Sequence, residues 1–147
     1  MFSRTGEYAV RAVVHLARHE ADWPISGPTI ARKTDIPPKY LSAILGNLVR
    51  TGVLAATRGK RGGFRIAEGA DETTLLQVLE PFEGRLLGND SACPFGLTSC
   101  SDDNPCPVHF RWKDLRDAFL AFLQETSIGD VARGDSDQVT LARMQSM

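Results

Sequence analysis

Over the first twenty residues, apolar positions recur at helical spacing. Ala9, Val10, Val13, Val14, Leu16 and Ala17 share a broad face, while Glu7, Arg11 and His15, four apart, share a polar stripe. This predicts a helix to about Glu20, capped by Ser3 or Thr5. After a turn at Trp23-Pro24, Ser26 or Gly27 opens a short helix ending at Thr34, with Pro28 in its first turn and Ile30 and Ala31 facing inward. Pro37 and Pro38 start a third helix, because proline is tolerated where the first backbone amides lack helical acceptors anyway. Its buried side is Leu41, Ile44, Leu45 and Leu48. That leaves Pro38, Lys39, Ser42, Ala43, Asn47 and Arg50 outside, and Gly52 ends the helix.

Two short helices joined by a tight turn, the second with small and basic residues outward, describe a helix-turn-helix. Its second helix fits a DNA major groove about 12 Å wide. A helical hairpin with no DNA role is the plain alternative, and the next stretch weighs against it. Val53 to Thr57 and Phe64 to Ala67 are strand-like runs separated by Arg58-Gly59-Lys60-Arg61-Gly62-Gly63. The glycines permit a tight hairpin. Arg58, Lys60 and Arg61 charge its tip, which suits phosphate contacts and insertion of an arginine into a minor groove. A nucleotide-phosphate loop is disfavoured, since the Lys-Ser/Thr ending is absent and the segment leads into a strand.

Thr73 or Thr74 caps a fourth helix through Leu75, Leu76, Val78 and Leu79, broken by Pro81. From about Pro107 to Thr126 the pattern turns helical again. There Val108, Trp112, Leu115, Phe119 and Phe122 recur at alternating steps of four and three, a heptad seam widened by Ala118 and Leu123. Packing on the first helix would hide any one of these residues. The whole stripe favours a homodimer, because DNA-reading modules of this kind present paired recognition helices about 34 Å apart. The predicted architecture is mainly α with a small β-hairpin: a winged helix-turn-helix in residues 1–83, a cysteine loop in 84–106, a long dimerisation helix and a short terminal helix in 107–133, and a flexible polar tail in 134–147, anchored only by Leu141 and Met144.

With 147 residues, 42% hydrophobic and 24% charged, the chain has an ordinary globular composition. No stretch reads as a signal peptide or a membrane span, which leads to the expectation of a cytoplasmic protein whose thiols stay reduced. The net charge of -1 hides an asymmetry. Residues 1–67 hold eleven Lys and Arg against four Asp and Glu, net +7, and residues 68–147 hold six against fourteen, net -8. The first half is therefore suited to a polyanion. The three cysteines, Cys93, Cys100 and Cys106, are followed by His109 in a turn-rich segment that cannot build its own core. Three thiolates and an imidazole make a first shell for zinc or an iron-sulfur cluster; a disulfide would leave one thiol over. His15 and His19 also stand at a chelating spacing, although a solvated helix face is the simpler reading. There are no paired carboxylates placed for catalysis, no activated-nucleophile motif and no four-cysteine ferredoxin pattern, so an enzyme is not expected.

In this order the elements resemble the IscR and NsrR type of winged-helix transcriptional regulators over roughly residues 1–133. The resemblance is carried by Gly6-Glu7-Tyr8-Ala9-Val10, Tyr40-Leu41, Gly52-Val53-Leu54, Arg58 to Phe64, the three cysteines, His109 and Trp112, and Ser127-Ile128-Gly129-Asp130-Val131. It implies a homodimer on a double-stranded DNA operator, most simply a repressor, whose affinity is switched by a 2Fe-2S or 4Fe-4S cluster on Cys93, Cys100 and Cys106. Such a cluster would sense iron-sulfur status, redox stress or nitric oxide. His109 resembles the fourth ligand of the IscR branch, while Glu7 matches the position from which the nitric-oxide-sensing branch supplies a partner carboxylate. His109 is preferred, being one helical turn from Cys106; a dipole-favoured carboxylate or an ion pair to Arg11 also accounts for Glu7. Base reading would fall to Lys39, Ser42 and Ala43, with Tyr40 divided between packing and backbone contact. Ser42 and Ala43 stand where the IscR branch has larger polar residues, so the operator need not be that of the relatives. The alternative is a structural zinc site on the same residues, in a winged-helix regulator or another nucleic-acid-binding protein.

Overall fold

The computed structural model describes residues 2–84 and 101–134. Helix α1, Arg4–Arg18, starts at Ser3, whose Oγ accepts the Gly6 amide at 3.1 Å. Helix α2, Gly27–Thr34, is capped by Ser26 in the same way, and Asp35, in the left-handed region at φ 55°, turns the chain towards α3, Pro38–Arg50. Strands β1, Leu54–Thr57, and β2, Gly63–Ile66, pair antiparallel with Leu54 opposite Ile66. Helices α4, Leu75–Leu79, α5, His109–Glu125, and α6, Ile128–Arg133, follow. Thr74 with Gln77 and Ser127 with Asp130 form capping boxes at the starts of α4 and α6. Leu75 N donates to Thr126 O and Ile128 N to Thr73 O, so the two starts are also tied to each other.

The buried side of α3 is Leu41, Ile44, Leu45 and Leu48, as its period requires. The first helix differs from its expected face. It ends at Arg18, and Ala12 joins Ala9, Val13, Leu16 and Ala17 in the main core, while Val14 is only half-buried. Val10 points to a second, smaller cluster of Leu75, Leu79 and Leu123, where Phe2 and Phe119 also pack. The main core draws on α1, α2, α3, both strands, Val78 and Ile128, so the last helix closes back over the first. Both clusters meet on α1.

Two close approaches fix this frame. At Gly63 a Cβ would lie 2.4 Å from the Ile25 backbone, which exchanges hydrogen bonds of 2.9 and 2.8 Å with Phe64 and so stitches the wing to the segment before α2. At Gly6 a Cβ would lie 2.0 Å from Oε1 of Glu83, a buried carboxylate that accepts from both N and Oγ of Ser3 at 2.6 and 2.7 Å. Glu83 thereby satisfies the amide just before α1 and fixes the end of the α4 segment to it.

Gly6→Ala is expected to destabilise the fold by about 1–3 kcal/mol in urea denaturation, since the methyl displaces a carboxylate held by two hydrogen bonds. In a Glu83→Ala background the same change is expected to cost little.

Candidate nucleic-acid interface and cysteine loop

On α3, Pro38, Lys39, Tyr40, Ser42, Ala43 and Arg50 are exposed and Asn47 is half-buried. The wing presents Arg58, Lys60 and Arg61 in the open. One cleft is lined jointly by Gly27 and Pro28 of α2, Pro38, Leu41, Ser42 and Leu45 of α3, and Phe64 of β2, so the start of α3 and the root of the wing share a surface. Position on a common face, with charge supplied by side chains that fold elsewhere into no core, is what phosphate contact needs. Tyr40 is 57% exposed yet not isolated: its ring meets that of Tyr8 at 6.5 Å and 44°.

A second cleft, of about 480 Å³, lies beside the wing, lined by His15 of α1, His19 just past its end, Asp22, Ser26, Thr29, Lys33, Arg61 and neighbours. The two imidazoles stack at 4.2 Å, and Nδ1 of His19 lies 2.7 Å from the His15 carbonyl oxygen, which can only accept. The ring of His15 is held below its ordinary pKa of 6.5 by burial first, then by His19 and Lys33, with Asp22 opposing. His19 is exposed and His15 half-buried, so the pair remains on a solvated face, with its rings stacked in the wall of an open cleft.

Of the candidate metal ligands, Cys93 and Cys100 lie outside the described residues. Cys106 and His109 sit on one turn, with His109 N donating to Cys106 O at 3.0 Å, and the imidazole is buried at 4% exposure. Its Nε2 is 2.8 Å from Oδ1 of Asp102, and Oδ2 of Asp102 is 2.7 Å from Nζ of Lys113. A carboxylate only accepts, so Nε2 carries the hydrogen, and a neutral ring in this tautomer has its acceptor lone pair on Nδ1. The hydrogen bond from His109, then that from Lys113, holds the Asp102 carboxyl below the usual carboxylate range. Sequence reading passed over Asp102 as one more turn residue; its place seven before His109 was the signal available. Glu7, the alternative ligand, pairs within its own chain with Arg11.

Along α5 the predicted seam divides. Val108, Leu115 and Phe122, seven apart, are exposed at 40%, 53% and 53%. Trp112 is half-buried, and Phe119 turns inward to meet Phe2 at 5.4 Å beside buried Leu123. No helix among the described residues is long and apolar enough to cross a membrane.

A family model described as Rrf2, iron-dependent transcriptional regulator, matches residues 2–134. A candidate HTH-type transcriptional regulator of Aquifex aeolicus is 32% identical over 133 residues, 89% of this chain and 90% of its own length. The HTH-type transcriptional regulator IscR of Photobacterium profundum is 27% identical, with 97% of this chain and 81% of that protein covered. Among solved structures, CymR, the global cysteine regulator of B. subtilis, superposes with a TM-score of 0.71 at 22% identity, covering 90% of this chain and 96% of that one. IscR of T. potens gives 0.65 at 20% identity, covering 90% and 86%. These two structural likenesses bear on the fold, a winged helix with a long helix after it.

The His15 cleft sets a pH dependence. A histidine whose folded pKa is lowered leaves the unfolded chain binding more protons, so its contribution is complete above 6.5 and declines as pH falls from there through the folded value. The thermal midpoint is expected to drop on acidification from neutral pH, and to drop less in His15→Gln; equal drops would assign the effect to other groups.

Proposed function

The chain belongs to the Rrf2 family of transcriptional regulators, and from that footing we propose that it is a DNA-binding repressor whose operator affinity is switched by an iron-sulfur cluster. The observation that carries the reading is the Cys106–His109 turn, where a buried imidazole is backed by Asp102. A carboxylate on one ring nitrogen is the usual support of a histidine that ligates through the other. Thiolate and imidazole donors fit iron in a cluster, and Cys93 and Cys100 would supply the remaining thiolates. The fourth position goes to His109, with the partner subunit's Glu7 as the alternative. The description of the matching family model as iron-dependent supports iron at this site.

A bound cluster of either nuclearity supplies one-electron redox chemistry and iron open to oxidant or nitric oxide. What the chain does with it follows from where the loop is attached. Its first end follows Glu83, fixed on the start of α1, and its second end is Asp102 and Cys106, fixed on the start of α5. Ordering or release of the loop therefore bears on α1 and on α5 together. Val108, Leu115 and Phe122, with Trp112 beside them, form the homodimer seam; Phe119 works from within its own chain. The dimer sets the spacing of two recognition helices, each reading bases through Lys39, Ser42 and Ala43 and meeting the backbone through Pro38, Tyr40, Asn47 and Arg50. Arg58, Lys60 and Arg61 of each wing hold phosphate or enter the minor groove.

Protein purified without oxygen is expected to absorb in the visible and to carry both iron and acid-labile sulfide. Zinc without iron would replace the cluster by a structural site at the same four residues, and absence of any metal after reconstitution would reject both. Arg58→Ala is expected to weaken operator binding and to flatten its salt dependence by about 0.9 in log–log slope for each phosphate it no longer neutralises. Unchanged affinity across salt would remove the wing from the interface.

A further inference from the structure

The polar stripe of α1 holds a residue that touches α2 directly and α3 through a tyrosine ring. Arg11 is half-buried. Its Nη1 donates to the carbonyl of Thr34 at 3.2 Å, the last residue of α2, and its Nη2 pairs with Oε1 of Glu7 one turn back on α1. Thr34 is buried, with its own hydroxyl donating to Ile30 O, and Asp35 follows in the left-handed region, so the carbonyl that Arg11 holds stands where the chain reverses towards α3. The guanidinium carbon also lies 5.4 Å from the centroid of the Tyr8 ring, and that ring meets Tyr40 in the first turn of α3.

We propose that Glu7, Arg11 and Tyr8 form a positioning relay that holds the turn of the helix-turn-helix and the ring of Tyr40, and so sets the specificity of the DNA-reading face from the start of α1. The inference rests on α3 being the helix that reads DNA; it does not depend on a cluster. Arginine is required by the geometry. A planar fork sends two nitrogens to two different acceptors while its charge lies over an aromatic ring, and a lysine ammonium can do one of these at a time. Glu7 orients the fork. Its exposed pair with Arg11 contributes little to stability, so the effect of losing it falls on where Arg11 points and not on whether the domain folds. Tyr40 projects into solvent, and without Tyr8 held beneath it the ring regains rotamer freedom that must be lost again on the operator. Glu7 has a second interest: a ligand or partner that engages its carboxylate would act on α3 through the same contacts.

The test uses full-length protein, an operator duplex selected by the unaltered protein from a randomised pool, and a scrambled duplex of equal length. Arg11→Lys keeps the charge, and is expected to lose about tenfold in operator affinity with scrambled-duplex affinity, salt slope and thermal midpoint nearly unchanged. Glu7→Gln, which leaves Arg11 in place, is expected to move the same way to a smaller extent. In a Tyr40→Ala background, Arg11→Lys is expected to add a smaller loss than it causes alone, because the contacts through Tyr8 are already broken while the hold on the Thr34 carbonyl is still to be lost. Retained operator-to-scrambled ratio in Arg11→Lys, or losses that simply add with Tyr40→Ala, would overturn the relay. Equal loss on both duplexes together with a lowered midpoint would overturn it too, as a merely structural role. Arg58→Ala separates this from the wider reading: if it weakens binding while Arg11→Lys does not, the relay fails alone, and if neither it nor Tyr40→Ala changes operator binding, the DNA interface itself is misplaced.

Discussion

Ala9, Ala12 and Leu16 are fully buried on α1, and everything else in the domain is placed by what packs on them. Small side chains at two successive turns let other helices approach closely, and van der Waals attraction falls away steeply with distance, so the approach is fixed within narrow limits. The opposite side of α1 is occupied as well: Val10 and Phe2 lie in the smaller cluster with α4 and α5. A helix covered on two sides cannot shift against one neighbour without disturbing the other. That is the constraint through which a loop attached at α4 and α5 can influence a reading helix on the far side of the core.

The polar contacts along α1 follow the same division. At its start Glu83 holds Ser3 and leaves room only for a glycine at position 6, which ties the segment before the cysteine loop to the helix. One turn on, Glu7 and Arg11 face the helix-turn-helix, and at the far end Arg18 donates to the Gly134 carbonyl after α6. Charge is divided along the chain in the same sense. The basic half carries α3 and the wing, and the acidic half carries the loop and α5, so positive charge is gathered on the elements proposed to meet DNA.

Much of this was legible in the sequence because the elements are short and their signals local. The apolar period of α3 named its buried residues, two helix starts were narrowed to Ser26 or Gly27 and Thr73 or Thr74, of which Ser26 and Thr74 are the caps, and the glycines with Arg58, Lys60 and Arg61 named the wing. What escaped depends on which elements meet. Glu83 carried no signal in the sequence, Asp102 lay in a turn-rich segment and Arg11 on a polar stripe, since nothing local says that a carboxylate will be buried against a helix start eighty residues earlier. The heptad period on α5 could not say that Phe119 would be claimed by Phe2 while Val108, Leu115 and Phe122 stayed outside. Of the proposed metal site, the described residues hold Cys106, His109 and the carboxylate of Asp102 behind the imidazole, which no local pattern announced.

The central claim is that chemistry at the cysteine loop is transmitted to the DNA-reading face across α1. It is tested most directly by dividing one anaerobic preparation, stripping iron from half with a chelator, and titrating both halves with the same selected operator duplex at the same salt. The account predicts operator affinities that differ by about tenfold or more between the halves, with near-equal affinities for a scrambled duplex. Identical operator curves would contradict it.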